Sequence, residues 1–207
     1  MKKIRIMVAA ICILMFFSIQ VTAQNVPLIL DLNYNYSIPV SGFKTDLISN
    51  NSSRGFRGEL MYPFNDKLEA GILFGYQDYY QKYPRTLYNI SKTQDISAVI
   101  SNSIQTTPVL LKAKYFPLNS PVIKPYISVG AGATLIDFAQ YYGEFGGSQT
   151  NVGFIAQGGL GAIIPFGKLR SSGINLGATY DYAPYKKYGY SDLNSVNLQA
   201  GLMFKIK

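Results

Sequence analysis

The sequence predicts an all-β fold, an eight-stranded antiparallel up-and-down transmembrane β-barrel. Three observations predict it. After residue 24, apolar and polar residues alternate with period two in eight segments, and successive side chains of a strand point to opposite faces. Several segments are longer than a soluble strand and match or exceed the roughly 9–11 residues that cross a bilayer at a tilt. The links between segments alternate long and short, as in a barrel whose two ends face different compartments.

The residues ahead of the first segment read as an export signal. Lys2, Lys3 and Arg5 form a positive start, an apolar run extends from Ile6 to Ile19, and Val21-Thr22-Ala23 places small residues where a signal peptidase cuts. The run is short for a transmembrane anchor, and no charged stop-transfer segment follows it. Cys12 lies within the run and reads as a small hydrophobe of the signal. The expected organisation is a signal peptide over 1–23 and a barrel over 24–207.

The first strand is expected at 27–40, with Leu28, Leu30, Leu32, Tyr34 and Tyr36 on one face and Asp31, Asn33, Asn35 and Ser37 on the other. The following strands are expected at 54–64, 68–80, 104–116, 124–138, 152–166 and 173–183. The last, 194–206, sets Val196, Leu198, Ala200, Leu202, Phe204 and Ile206 against Asn197, Gln199, Gly201, Met203 and Lys205. Short turns fall at 65–67, 118–123 and 167–172. The links 41–53, 81–103, 139–151 and 184–193 are long and polar, which places them outside the cell and both termini in the periplasm. No stretch after residue 24 shows a helical period.

The aromatics form two groups along the strand direction. Tyr34, Tyr36, Phe74, Tyr76, Phe138, Phe154, Tyr180 and Tyr182 fall near the outer ends, and Phe64, Phe116, Phe166 and Phe204 near the inner ends. Two belts of this kind mark the interfaces of a bilayer. Gly130, Gly132, Gly159, Gly161 and Gly177 share the inward parity, where a narrow barrel has least room.

Composition narrows the function classes. The net charge of +8 includes the three cations of the signal, and the remainder is mild and scattered, which argues against nucleic acid as a partner. The chain contains no histidine, and its one cysteine is Cys12. Hydrolytic chemistry that leans on histidine as base, transition-metal sites and disulfides are therefore not expected, and neither is a cofactor or enzymatic activity.

Particular runs carry a family resemblance. Tyr115-Phe116-Pro117 followed by Lys124-Pro125-Tyr126-Ile127-Ser128-Val129-Gly130-Ala131-Gly132, and the hairpin Leu60-Met61-Tyr62-Pro63-Phe64-Asn65-Asp66-Lys67-Leu68-Glu69, resemble the small outer-membrane β-barrel family of Gram-negative bacteria. The nearest flavour is the outer membrane protein β-barrel group abundant in Bacteroidota, similar to the barrels of outer membrane proteins A, W and X. The resemblance covers the chain after the signal and implies an integral outer-membrane location. Gly201, Phe204 and Ile206 resemble the last-strand assembly signal of such barrels, although the chain ends in Lys207 rather than an aromatic residue. This implies the barrel-assembly machinery as a partner, beside outer-membrane lipid and lipopolysaccharide.

Two sets of residues are candidates for function. Asp31, Arg57, Glu59, Glu69, Lys112, Lys114 and Asp181 carry charge on the inward parity, with Arg57 or Lys112 expected to pair with Glu59 and Lys114 with Glu69. These charges read either as a structural lumen filling or as a gate. Tyr83, Tyr88, Tyr141, Tyr142, Tyr188 and Tyr190 crowd the outer links, with Tyr79, Tyr80 and Tyr185 beside them. They suit either stacking on sugars near lipopolysaccharide phosphates or an extension of the belt. The expectation is a non-enzymatic structural or binding protein, with an accessory place in a larger outer-membrane complex as one form of that role. The alternative is a small channel for hydrophobic or small polar solutes, and a lipid-modifying barrel enzyme comes last.

Overall fold

The computed structural model describes residues 27–91, 94–118, 120, 122–142, 145–167, 171–187 and 190–206. The segment read as a signal lies outside them. Alternating sequence becomes alternating burial. Along β1 (Leu28–Pro39), Asp31, Asn33, Asn35 and Ser37 are buried while Leu32 and Tyr34 are exposed.

Among the described residues twelve strands form, eight of them in a closed ring. These are β1, β2 (Arg54–Asn65), β3 (Leu68–Lys82), β6 (Ile100–Tyr115), β7 (Lys124–Tyr142), β8 (Phe145–Phe166), β9 (Ser172–Tyr182) and β12 (Ser195–Ile206). The ring order is β1-β12-β9-β8-β7-β6-β3-β2, and every neighbouring pair is antiparallel. Closure between β1 and β12, from Leu28 opposite Ile206 to Pro39 opposite Ser195, leaves no open edge in the ring, which a bilayer demands. Outside the ring, β4 (Thr86–Ser91) pairs with β5 (Gln94–Ala98), and β10 (Pro184–Lys187) with β11 (Tyr190–Asp192).

Face assignment follows the sequence period throughout. On β6, Leu111 is 72 % exposed while its neighbour Lys112 is 3 % exposed. Exposed Leu60, Ile72, Val129, Leu160, Leu176, Leu198 and Leu202 give the outer wall the apolar surface a bilayer requires.

The long links are more ordered than their polar composition suggests. The link expected at 139–151 is mostly strand, because β7 and β8 stay paired from Lys124 opposite Ile163 up to Tyr142 opposite Phe145. With β3 and β6 they form a four-stranded sheet that rises past the outer rim. Links 81–103 and 184–193 carry the two extra hairpins. Link 41–53 holds a π-helical turn, Phe43–Leu47, which corrects the expectation of no helix. Two belt assignments are also corrected. Phe116 is 3 % exposed and belongs to an interior cluster, and Phe138 packs against an interior cluster on the inward parity of β7. Phe64, Phe154, Phe166, Tyr34, Tyr180 and Tyr182 are exposed on the outer wall.

Candidate functional site

The lumen is the site the sequence singled out, and it is built in layers. At its inner end Ile29, Met61, Phe116, Tyr126, Ile163 and Met203 form an apolar floor. Tyr126 finds room there because it faces glycine. A Cβ on Gly161 would lie 2.5 Å from Cζ of that ring.

Above the floor lies a charged layer. Lys114 on β6 reaches past β3 and β2 to Asp31 on β1, and its Nζ also stands 2.7 Å from Oε2 of Glu59 on β2. Lys112 donates to Oε1 of Glu59 at 2.6 Å. Arg57 crosses to β9, donating to Asp181 Oδ2 at 2.6 Å and Thr179 Oγ1 at 3.2 Å. Gln157 donates to the other Asp181 oxygen at 2.8 Å. These ion-paired side chains are nearly or wholly buried, and a buried charge is tolerated only when it is paired and hydrogen-bonded. The Lys114 ammonium also lies 5.1 Å from the centroid of the Tyr126 ring, within cation–π range.

Lys112 takes Glu59, one of the two pairings expected for that acid, whereas the expected pairing of Lys114 with Glu69 does not form. Lys114 takes Asp31 and Glu59 instead of Glu69, although Glu69 and Lys114 stand opposite each other in the β3–β6 register. A long lysine stem extends inward from the wall, so it meets carboxylates across the narrow lumen rather than the one beside its own backbone. Arg57 pairs with Asp181 and leaves Glu59 to the two lysines. Glu69 remains at the inner end with its Oε2 buried and no hydrogen-bond partner among the described residues.

Amides that sequence reading marked only as polar parity fill the remaining lumen. Asn175 accepts from Tyr126 of the floor at 2.9 Å and donates to Asn33 at 3.1 Å, while Asn35, farther toward the outer end of β1, donates to Gln77 at 2.7 Å and Asn197 at 3.1 Å to form a layer beyond the charges. The outer mouth is then closed by the turn between β1 and β2. Phe43, Leu47 and Ile48 are at most 1 % exposed and pack with Leu73, Tyr79, Ile104, Ile136 and Tyr185. No period in the sequence marks this cap. Its only signal is three large apolar residues in a link otherwise rich in polar ones.

The tyrosine set divides. Tyr83 is half-buried and donates to the Leu47 carbonyl at 3.1 Å, fastening the cap. Tyr141 is exposed on β7. Tyr88, Tyr142 and Tyr190 lie on β4, β7 and β11 with side chains outside the described residues, and Tyr188 lies outside them altogether. Tyr79 and Tyr185 are buried in the cap, so neither is a surface group. In the assembly-signal set, Phe204 and Ile206 share the outward parity of β12 and Gly201 faces the lumen. A Cβ at Gly201 would lie 2.0 Å from the Leu32 carbonyl oxygen, so close strand approach alone requires that glycine.

The family model of the outer membrane protein beta-barrel domain matches residues 9–205 and agrees with this architecture. No curated protein matches. Among solved structures, the chain is similar to E. coli outer membrane protein W at 14 % identity, covering 89 % of this chain and 100 % of that one with a TM-score of 0.48. The N-terminal β-barrel domain of Pseudomonas aeruginosa OprF gives 14 % identity, coverage of 86 % and 97 %, and a TM-score of 0.47. Neisserial surface protein A gives 18 %, 88 % and 98 %, and 0.47.

Proposed function

The chain belongs to the outer membrane protein β-barrel family and is integral to the outer membrane, and from that premise we propose that it is a non-conducting, non-enzymatic barrel that acts by binding at its outer surface. The observation that carries this reading is the closed lumen. An apolar floor, a buried charged layer, an amide layer and an apolar cap follow one another along the axis. An eight-stranded barrel is just wide enough for its own side chains to fill.

The outer surface offers a place for a partner. Residues Phe145 to Ile155 of β8 pair with β7, whereas pairing with β9 begins only at Ala156 opposite Tyr182. Tyr185 reaches Asn151 near the base, and Gly146 to Thr150 are exposed above it. An accessory role in a larger surface complex fits this exposed strand end. Assembly into the membrane proceeds through the last strand, with Gly201, Phe204 and Ile206 offered to the barrel-assembly machinery by edge pairing.

Single-channel recording on the purified protein in planar bilayers tests the reading. The expected record is flat. Steady conductance would replace it with a small channel for hydrophobic or small polar solutes. Affinity purification from native membranes at endogenous expression would then identify the surface partner.

A further inference from the structure

The inner mouth of the barrel is not filled to its rim. Below the apolar floor a vestibule of about 490 Å³ opens toward the periplasm, within the ~300–1,000 Å³ range of small-ligand sites. Its lining combines three chemistries. Ile29, Phe116, Ile163 and Met203 form the apolar end, Glu69 stands in the wall, and Asp66, Lys124 and Lys205 complete the charged lining.

Glu69 is the informative group. It takes part in none of the lumen ion pairs, and its Oε2 is buried with no hydrogen-bond partner among the described residues. Glu69 lines the vestibule, and a turn of its carboxyl toward the cavity would give the buried oxygen an ammonium donor, the group that best satisfies a carboxylate. Lys124 and Lys205 line the same vestibule as Glu69 and Asp66, so an anionic group of the ligand finds counter-charges there while its ammonium finds carboxylates. The floor needs an apolar body.

We propose that the vestibule is a periplasm-facing binding site for a small amphiphilic zwitterion. The ammonium of the ligand meets Glu69, its anionic group lies toward Lys124 and Lys205, and its apolar body rests on Phe116, Ile163 and Met203. The proposal is independent of whether the lumen conducts. An apolar amino acid and a short-chain phosphoethanolamine lipid both carry this chemistry.

The protein supplies its own reporter. Its methionines are Met1, Met7, Met15, Met61 and Met203, and the last two sit in the floor cluster. With methyl-labelled methionine and the protein in phosphatidylcholine nanodiscs, whose quaternary ammonium donates no N–H bond, norleucine and dihexanoylphosphatidylethanolamine are titrated separately. The Met203 methyl signal is expected to move saturably with at least one of them, and whichever binds assigns the source. Norleucine methyl ester, which lacks the anion, and hexanoate, which lacks the ammonium, should need at least tenfold higher concentration. Glu69→Gln should raise the apparent Kd at least tenfold while unboiled protein still migrates on gels as the parent does. If that variant does not fold, Lys124→Gln/Lys205→Gln should abolish the preference for norleucine over its methyl ester. A Met203 signal unmoved by both probes overturns the proposal. So does equal binding of the analogues, or an effect that survives these substitutions.

Discussion

The two mouths of this barrel are closed by unlike means. At the inner end the floor is made by strand residues and Phe116, which directly follows β6, so the groups that close the lumen are also groups that form the wall. At the outer end the closure is a link. Phe43, Leu47 and Ile48 are inserted from the turn between β1 and β2 and fastened by bonds from elsewhere. Tyr83 and Asn102 donate to the Leu47 carbonyl at 3.1 and 3.3 Å, and Asp192 accepts from the Phe43 amide at 3.3 Å. A floor of this kind cannot open without the barrel opening, whereas a cap of this kind can lift while all eight strands stay paired.

The largest expected effect belongs to the layer that separates the two mouths. Lys114→Met leaves Asp31 without its cation in the dry interior and leaves Glu59 with Lys112 alone. Removing one partner of a buried ion pair costs about 3–5 kcal/mol. Urea unfolding in lipid vesicles should show a loss of that order. Lys112→Met should cost less, because Glu59 keeps Lys114 at 2.7 Å. If Lys114→Met were as stable as the parent, the ion pairs would not be what fills the mid-lumen.

The contrast between the mouths is tested next by a matched pair. Truncating a buried methionine or phenylalanine costs roughly 2–5 kcal/mol, but the location of that cost should differ. Met61→Ala, in the floor, should lower the unfolding midpoint of the whole barrel. Phe43→Ala, in the cap, should leave the midpoint nearly unchanged and instead speed proteolysis at Lys44 and amide exchange around Leu47. Should Phe43→Ala unfold the barrel as readily as Met61→Ala, the cap would be part of the wall and the contrast would collapse.

This contrast also separates what was legible in the sequence from what was not. The charged layer and the lipid face follow from parity, and parity is visible as period two; the floor was legible only in part, because Phe116 reads as an inner-belt aromatic in the sequence. Lys112 falls on the inward parity and its neighbour Leu111 on the opposite one, and their exposures agree. Partner choice inside the lumen was not legible. Register sets Lys114 beside Glu69, but the lumen is narrow enough for the lysine to cross it, and that width appears only on closure. The cap was illegible for a different reason. A turn that folds back into the mouth has no period, and its polar neighbours made the whole link read as solvated. The height of the β7–β8 hairpin was missed likewise, because its Gly-Ser-Gln-Thr-Asn run lacks apolar alternation and is held in strand by pairing with β7.

A smaller effect tests the boundary between lumen and lipid on one strand. A cation on the lipid face near mid-membrane costs roughly 2–4 kcal/mol. Leu111→Arg should lose about that much in bilayers, since the side chain points into hydrocarbon. In detergent micelles, where water reaches the wall more easily, the loss should shrink. An equal loss in both media would mean that position 111 does not sit at membrane depth.

The smallest expected effect lies at the outer rim, and it sets the scale for the others. Arg54 begins β2 on the outward parity, 3.3 Å from Asp78 and with its guanidinium 5.9 Å from the centroid of the Tyr80 ring. The pair resembles the lumen pairs in chemistry but not in surroundings, because the Arg54 side chain is 57 % exposed. Water and salt screen such a pair, and the arginine must give up rotamer freedom to hold it, so exposed ion pairs contribute about 0–1 kcal/mol. Arg54→Ala should therefore shift the unfolding midpoint barely, and raising the salt concentration should reduce even that shift. The same change of salt should leave the cost of Lys114→Met untouched, because ions do not reach the buried layer. A loss from Arg54→Ala comparable to that from Lys114→Met would show that the rim, rather than the lumen, holds the strands in register. Stability would then be governed at the outer mouth, where a lifting cap would disturb it, and the independence of the two closures could not stand.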